Sequence, residues 1–243
     1  LFWMGQAGFL IKNSLGETLA LDPYLSNYSE RIDHCKRFTL PVVDAADLFV
    51  DILAITHSHT DHLDMDSVPQ IVKNGAAVYC CKKSEEICKN AGIDESRIKS
   101  LKVGDVQQAK NYRIEAVYAN HGDLAPEALG YIISTEGVKI YFTGDTSYEM
   151  KKMEYAAKQD VDILAVPVNG EYGNTNERDA AMLAAQVKPR IAIPCHFWTL
   201  GRHRGNPLDF EYAMLALAKG VGEYTMCHAE LIYYSRTGGI RQE

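Results

Sequence analysis

The chain has 243 residues, 47% hydrophobic and 23% charged, which is enough apolar material for a large core and too balanced for a disordered or fibrous protein. Its 25 Lys and Arg stand against 32 Asp and Glu, and the resulting net charge of −7 argues against a protein that grips a phosphate backbone, so no nucleic-acid partner is expected. No apolar run approaches the roughly 18 to 20 residues of a membrane span, so no membrane role is expected either.

Taken in chain order, β-branched and aromatic runs predict strands at 1–4, 8–11, 18–21, 52–56, 77–81, 98–103, 112–118, 130–134, 139–143, 163–168, 191–195 and 230–234. Helical spacing of apolar residues predicts helices at 65–74, 84–90, 148–158, 176–187 and 209–219, with Asn176, Ala180, Leu183, Ala184 and Val187 the cleanest stripe. No flexible linker interrupts the alternation, so residues 1–243 read as one domain of layered α/β type. Leu1 lies inside a stretch that already reads as a strand, so the native start and any targeting signal before it can be missing. Six cysteines without an even-spaced framework point to a reducing, cytoplasmic setting.

HSHTDH at 57–62 directly follows the apolar strand that ends at Thr56. His57 and His59, two apart in extended chain, project to one side and can share a metal, while Asp61 and His62 can face a second. Three further residues of ligand type each follow a strand: His121, Asp145 in FTGD and His196 in IPCH. Singly each has a plain alternative, as a loop histidine, a helix cap or a buried core histidine. Together they make five histidines and two carboxylates, the count for two ions, with His57, His59 and His121 on one, Asp61, His62 and His196 on the other, and Asp145 bridging. Nitrogen and carboxylate donors suit zinc, manganese or iron, and the sequence does not choose among them. Asp22, in LDPY, reads either as an acceptor for a ligand imidazole or as a turn residue before Pro23.

WMGQAGFLI at 3–11, LDPYLS at 21–26, ITHSHTDHLD at 55–64, NHGD at 120–123, GYIISTEGVKIYFTGDT at 130–146, VPVNGEYGNTNERDAA at 166–181 and IPCHFW at 193–198 resemble the metallo-β-lactamase fold superfamily, and within it the ascorbate-6-phosphate lactonase-like metal-dependent hydrolases. The resemblance implies a four-layer αββα sandwich and carries the ligand roles onto His57, His59, Asp61, His62, His121, Asp145 and His196. Flavo-diiron oxidoreductases of this fold typically carry Glu where this chain has His59, which favours the hydrolytic branch. Relatives in the clade are often oligomers, so a homo-oligomer is an open expectation.

The implied chemistry is attack by a hydroxide held between two divalent ions, with Asp61 orienting it or accepting its proton. Trp198, Arg202 and Arg204 beside His196, and Tyr172 and Asn174 in the Gly-rich loop after the strand at 163–168, are candidates for substrate binding. They suit a small anionic lactone of sugar-phosphate type. A phosphodiesterase acting on a small diester and a non-catalytic metal-bound sensor are the competing readings.

Overall fold

The computed structural model describes residues 1–242 and divides the chain into two compact units. The first holds Leu1–Lys102, Thr199–Arg202 and the chain from Cys227 on. Its sheet has six strands hydrogen-bonded in sequence order: β1 (Phe2–Gly5), β2 (Gly8–Lys12), β3 (Thr18–Leu21), β4 (Ile52–Ile55), β5 (Ala77–Cys80) and β6 (Ile98–Ser100). The pairings from β1 to β3 are antiparallel and those from β3 to β6 parallel. All four residues of β4, ILAI, are buried, as an inner parallel strand covered on both faces requires. Helices α1 (Tyr28–Asp33), α2 (Val68–Lys73) and α3 (Lys82–Asn90) belong to this unit. Val68, Ile71 and Val72 of α2 join Leu53, Ile55 and Val78 in its core, each such side chain stabilising the fold by about 1.5–3 kcal/mol on burial.

The second unit, Val103–Trp198 with His203–Met226, repeats the half-antiparallel, half-parallel plan. Its strands are β7 (Val106–Ala109), β8 (Tyr112–Tyr118), β9 (Leu129–Thr135), β10 (Val138–Phe142), β11 (Ile163–Pro167), β12 (Ile191–Cys195) and β13 (Gly222–Glu223), again neighbours in sequence order. From β7 to β10 the pairing is antiparallel, and from β10 to β13 parallel. Pro194 is tolerated inside β12 because β13 pairs only with Ile191 and Ala192, so the position lacking an N–H lies beyond the ladder on that side. Helices α4 (Glu154–Ala157), α5 (Glu177–Val187) and α6 (Pro207–Leu217) complete the unit. The stripe Ala180, Leu183, Ala184 and Val187 is the buried face of α5, and Asn176 caps it by accepting from the Asp179 amide. Back in the first unit, β14 (Tyr233–Ser235) and β15 (Gly239–Arg241) form a small antiparallel ribbon.

Where the elements depart from expectation, tertiary bonds decide. The helix expected over 148–158 shrinks to α4, because Glu149 accepts hydrogen bonds from Tyr118 and Asn120. The last expected strand shifts to β14, since Cys227–Glu230 is tied into a turn by a backbone bond and by Glu230 Oε2 accepting from the Cys227 amide. β7, with polar VQQA, was invisible to an apolar pattern and forms through its ladder to β8. No helix among the described residues is long and apolar enough to cross a membrane.

All six cysteines are unbridged, and five are buried. Burial pushes the Cys88 thiol up to about 11 and raises Cys80 further still. In native protein at pH 8 a thiol reagent is expected to label Cys227 alone, with the full complement of six appearing only in denaturant. Rapid native labelling of Cys80 or Cys88, read by mass spectrometry, would contradict this burial.

Candidate metal centre

In the first unit β4 ends at Ile55 and the chain turns through His57–His62, with the amides of His62 and Leu63 both donating to the His59 carbonyl. The turn is anchored by Asp22, a fully buried carboxylate that follows β3. Asp22 Oδ1 accepts from the Thr56 amide at 2.8 Å, and Oδ2 accepts from Thr56 Oγ1 at 2.6 Å and His62 Nδ1 at 2.7 Å. Of the two readings of Asp22, the structure favours the acceptor one, with the carboxylate on the His62 imidazole.

This network fixes tautomers. Because the His62 Nδ1 proton goes to Asp22, His62 Nε2 carries the lone pair. Thr56 Oγ1 gives its proton to Asp22, so it accepts from His57 Nδ1 at 3.0 Å and leaves the His57 lone pair on Nε2. That atom lies 3.0 Å from His59 Nδ1, close to the spacing of two donors on one ion with bonds of about 2.1 Å. The His57 ring centroid is 4.6 Å from that of His59 and 4.1 Å from that of His62. Three clustered imidazoles, two of them with the Nε2 lone pair fixed by the network, are a donor set suited to a divalent metal. Asp61 Oδ2 lies 3.5 Å from His62 Nε2 and accepts from Gln6 Nε2 at 2.7 Å. Asp64, also buried, accepts from Leu25 N, Ser26 Oγ, Asp66 N and Ser67 Oγ and ties the turn to the loop after β3.

Gln6 gave no chemical signal in the sequence, yet it is fully buried and clamped at both backbone atoms. Its amide donates to Thr199 Oγ1 at 2.9 Å and its carbonyl accepts from Trp3 Nε1 at 3.1 Å.

In the second unit three strand ends supply the remaining candidates, and all are buried: His121 after β8, Asp145 after β10 and His196 after β12. Asp145 presents one oxygen to each histidine, with Oδ1 3.1 Å from His196 Nε2 and Oδ2 3.7 Å from His121 Nε2. Two oxygens turned to two imidazoles is the geometry a bridging carboxylate needs. The loops carrying these residues are laced together: Asn120 N donates to Thr146 Oγ1, Ser147 N to the Asn120 carbonyl and Thr175 N to the Thr146 carbonyl. Gly130 of β9 is required there, since a Cβ would lie 2.9 Å from the Thr143 carbonyl.

Of the residues expected to bind substrate, Asn174 is buried, donating through Nδ2 to Asp145 Oδ2 at 2.8 Å and to Asn169 Oδ1 at 3.2 Å. Tyr172, Trp198, Arg202 and Arg204 are exposed, and Arg204 has Glu171 3.5 Å away as a counter-charge. His203, which the sequence shows only as part of the basic stretch with Arg202 and Arg204, stacks its ring on His196 at 4.5 Å and 15° and lies 5.6 Å from Tyr172.

Residues 1–196 match the family model described as a beta-lactamase superfamily domain. A UPF0173 metal-dependent hydrolase of Thermoplasma volcanium is 32% identical, over 93% of this chain and 94% of its own length. Among solved structures, a metallo hydrolase of Ignicoccus hospitalis superposes with a TM-score of 0.74 at 20% identity, covering 94% of both chains. An isothiocyanate hydrolase from Delia radicum gut bacteria gives 0.77 at 18% identity, covering 96% of this chain and 98% of its own. The expected metallo-β-lactamase fold is thereby met.

Asp22→Asn is expected to lower metal affinity by about 10–100-fold, because the amide can present its N–H to the Thr56 and His62 donors and loosen the imidazole. Titration of metal into the stripped variant measures the change; an unaltered affinity would remove Asp22 from the metal's support.

Proposed function

The chain belongs to the beta-lactamase superfamily, and on that premise we propose that it is a metal-dependent hydrolase that opens a small anionic lactone. The observation that carries the metal-dependent reading is the donor set: imidazoles with fixed outward lone pairs in one unit, and a carboxylate shared between two imidazoles in the other. His57, His59, Asp61 and His62 give four donors in the first unit, and His121, Asp145 and His196 give three in the second. We assign these residues as ligands of divalent metal, with zinc or manganese suiting nitrogen and carboxylate donors and iron a further fit. When bound, such ions supply Lewis acidity that polarises a carbonyl and brings the pKa of water toward neutrality.

The rest is done by the chain. Asp22 and Thr56 hold the His62 and His57 rings with Nε2 outward, so no rotamer must be chosen when the metal arrives. Asn174 holds Asp145 at Oδ2 with a neutral N–H, which orients the carboxylate and leaves its charge for the metals. Asp61, held by Gln6, orients the attacking water and takes its proton. The lactone is the finer part of the reading: it rests on the resemblance of the loop at 169–176 and of the residues after His196 to the lactonase-like clade, and on the exposed Arg202 and Arg204 as partners for an anionic substrate.

A panel of lactones and chromogenic phosphodiesters, assayed before and after chelation and again on metal return, tests the reaction. Lactone opening that is lost with the metal and restored by it is expected. Activity that survives stripping would end the metal-dependent reading, and a diesterase rate above every lactone rate would end the lactonase one. Asp145→Asn is expected to lower metal content and activity together while circular dichroism stays native. The near-isosteric Gln6→Met should reduce kcat by about tenfold, the size of one lost charge-assisted hydrogen bond, with metal content and KM preserved. A parallel fall in metal content would make Gln6 structural support for the ligands instead.

A further inference from the structure

A surface helix normally keeps one apolar face, turned to the core. α6 has two. Pro207, Phe210 and Met214 are buried, and on the opposite side Leu208, Tyr212 and Leu215 are 60%, 69% and 68% exposed. Their spacing of four and three residues sets them on one stripe of the helix. The surroundings of this stripe are polar in a directional sense. Asp209 and Glu211, both exposed, stand in the first half of α6, while exposed Lys219 follows its C-terminal end and exposed Lys188 follows α5. Between those two lysines the ends of α5 and α6 leave an open groove of about 380 Å³, lined among others by Ala185, Lys188, Pro189, Leu217, Lys219 and Val221.

Acids at the start of the helix, with bases and an apolar groove at its end, form a pattern that complements itself once reversed. We propose that this face is a homodimer interface in which α6 pairs antiparallel with α6 of a second copy about a two-fold axis. A two-fold contact uses the same patch twice, so every feature of the start must meet one of the end. In this pairing Leu208 of each copy enters the groove of the other, Tyr212 and Leu215 form the apolar centre, and Asp209 and Glu211 face Lys188 and Lys219. α6 is about 16 Å long, so the two apolar stripes overlap over their whole length. A partner of another kind would have to match both the acidic and the basic end of one short helix, whereas a second copy does so by symmetry alone.

Sedimentation velocity over a concentration series on the full chain tests the proposal. The expected result is a monomer–dimer equilibrium in which Tyr212→Glu and Leu215→Glu each raise the dissociation constant by at least about tenfold, while the monomer's thermal midpoint stays unchanged because both side chains are exposed. Charge exchange supplies the decisive arm. The pair Asp209→Lys with Glu211→Lys, and the pair Lys188→Glu with Lys219→Glu, should each fail to self-associate, and an equimolar mixture of the two should restore dimer. A wild-type monomer at about 100 μM would overturn the proposal. So would a dimer indifferent to the Tyr212 and Leu215 variants, or a charge-exchanged mixture that stays monomeric.

Discussion

The candidate site depends on one buried carboxylate. Asp22 is fully enclosed, and its carboxyl oxygens accept from a backbone amide, a hydroxyl and an imidazole. An ionised carboxyl taken out of water without such donors would cost several kcal/mol or more and would protonate instead. The same three bonds also join the end of β3 to the end of β4 and set the tautomers of His57 and His62. Stabilising the charge and orienting the metal donors are therefore one requirement, and loss of either would undo the other.

Side chains at strand ends can converge only if the backbone leaves the strand sharply, and the chain accepts strain to do so. Gln6, Asp22 and His196 lie in the left-handed region at φ of 53°, 41° and 64°. Such conformations cost residues with a side chain about 1–3 kcal/mol each and persist only where the surroundings over-determine them. The surroundings do that at Gln6 through Thr199 and Trp3, and at Asp22 through Thr56 and His62. At His196 the preceding residue, Cys195, is the last of β12 and still paired with Pro167, so the turn begins directly from a fixed strand.

The sequence made the apolar sheet strands, though not the polar β7 or the short β13, and the seven ligand candidates legible for the same reason. A fully buried parallel strand must be a short apolar run, and a His or Asp immediately after such a run has few structural reasons to be there. The αββα class came from the family resemblance, since periodicity gives layered α/β and no more. Gln6 and Asn174 stayed hidden as partners of carboxylates because an amide in a loop carries no pattern: Gln6 meets Asp61 across 55 positions of sequence, and Asn174 meets Asp145 across 29. Both are contacts that exist only once each unit has folded. The overlong helix expected at 148–158 fails in the same way, since its apolar spacing is real and the bonds to Glu149 that break it come from β8 and the residues just after it.

Both carboxylates of the candidate ligand set receive an amide N–H, from Gln6 at 2.7 Å and from Asn174 at 2.8 Å. An arginine or lysine in either place would orient its carboxylate as well, but it would also cancel the negative charge that attracts a divalent ion, and a guanidinium close to the metals would repel them. An apolar residue would spare the charge and lose the orientation. A neutral donor is the side chain that does both. That choice, made once in each unit, is what a pair of acids needs if its charge is to be spent on metal and not on the protein's own cations.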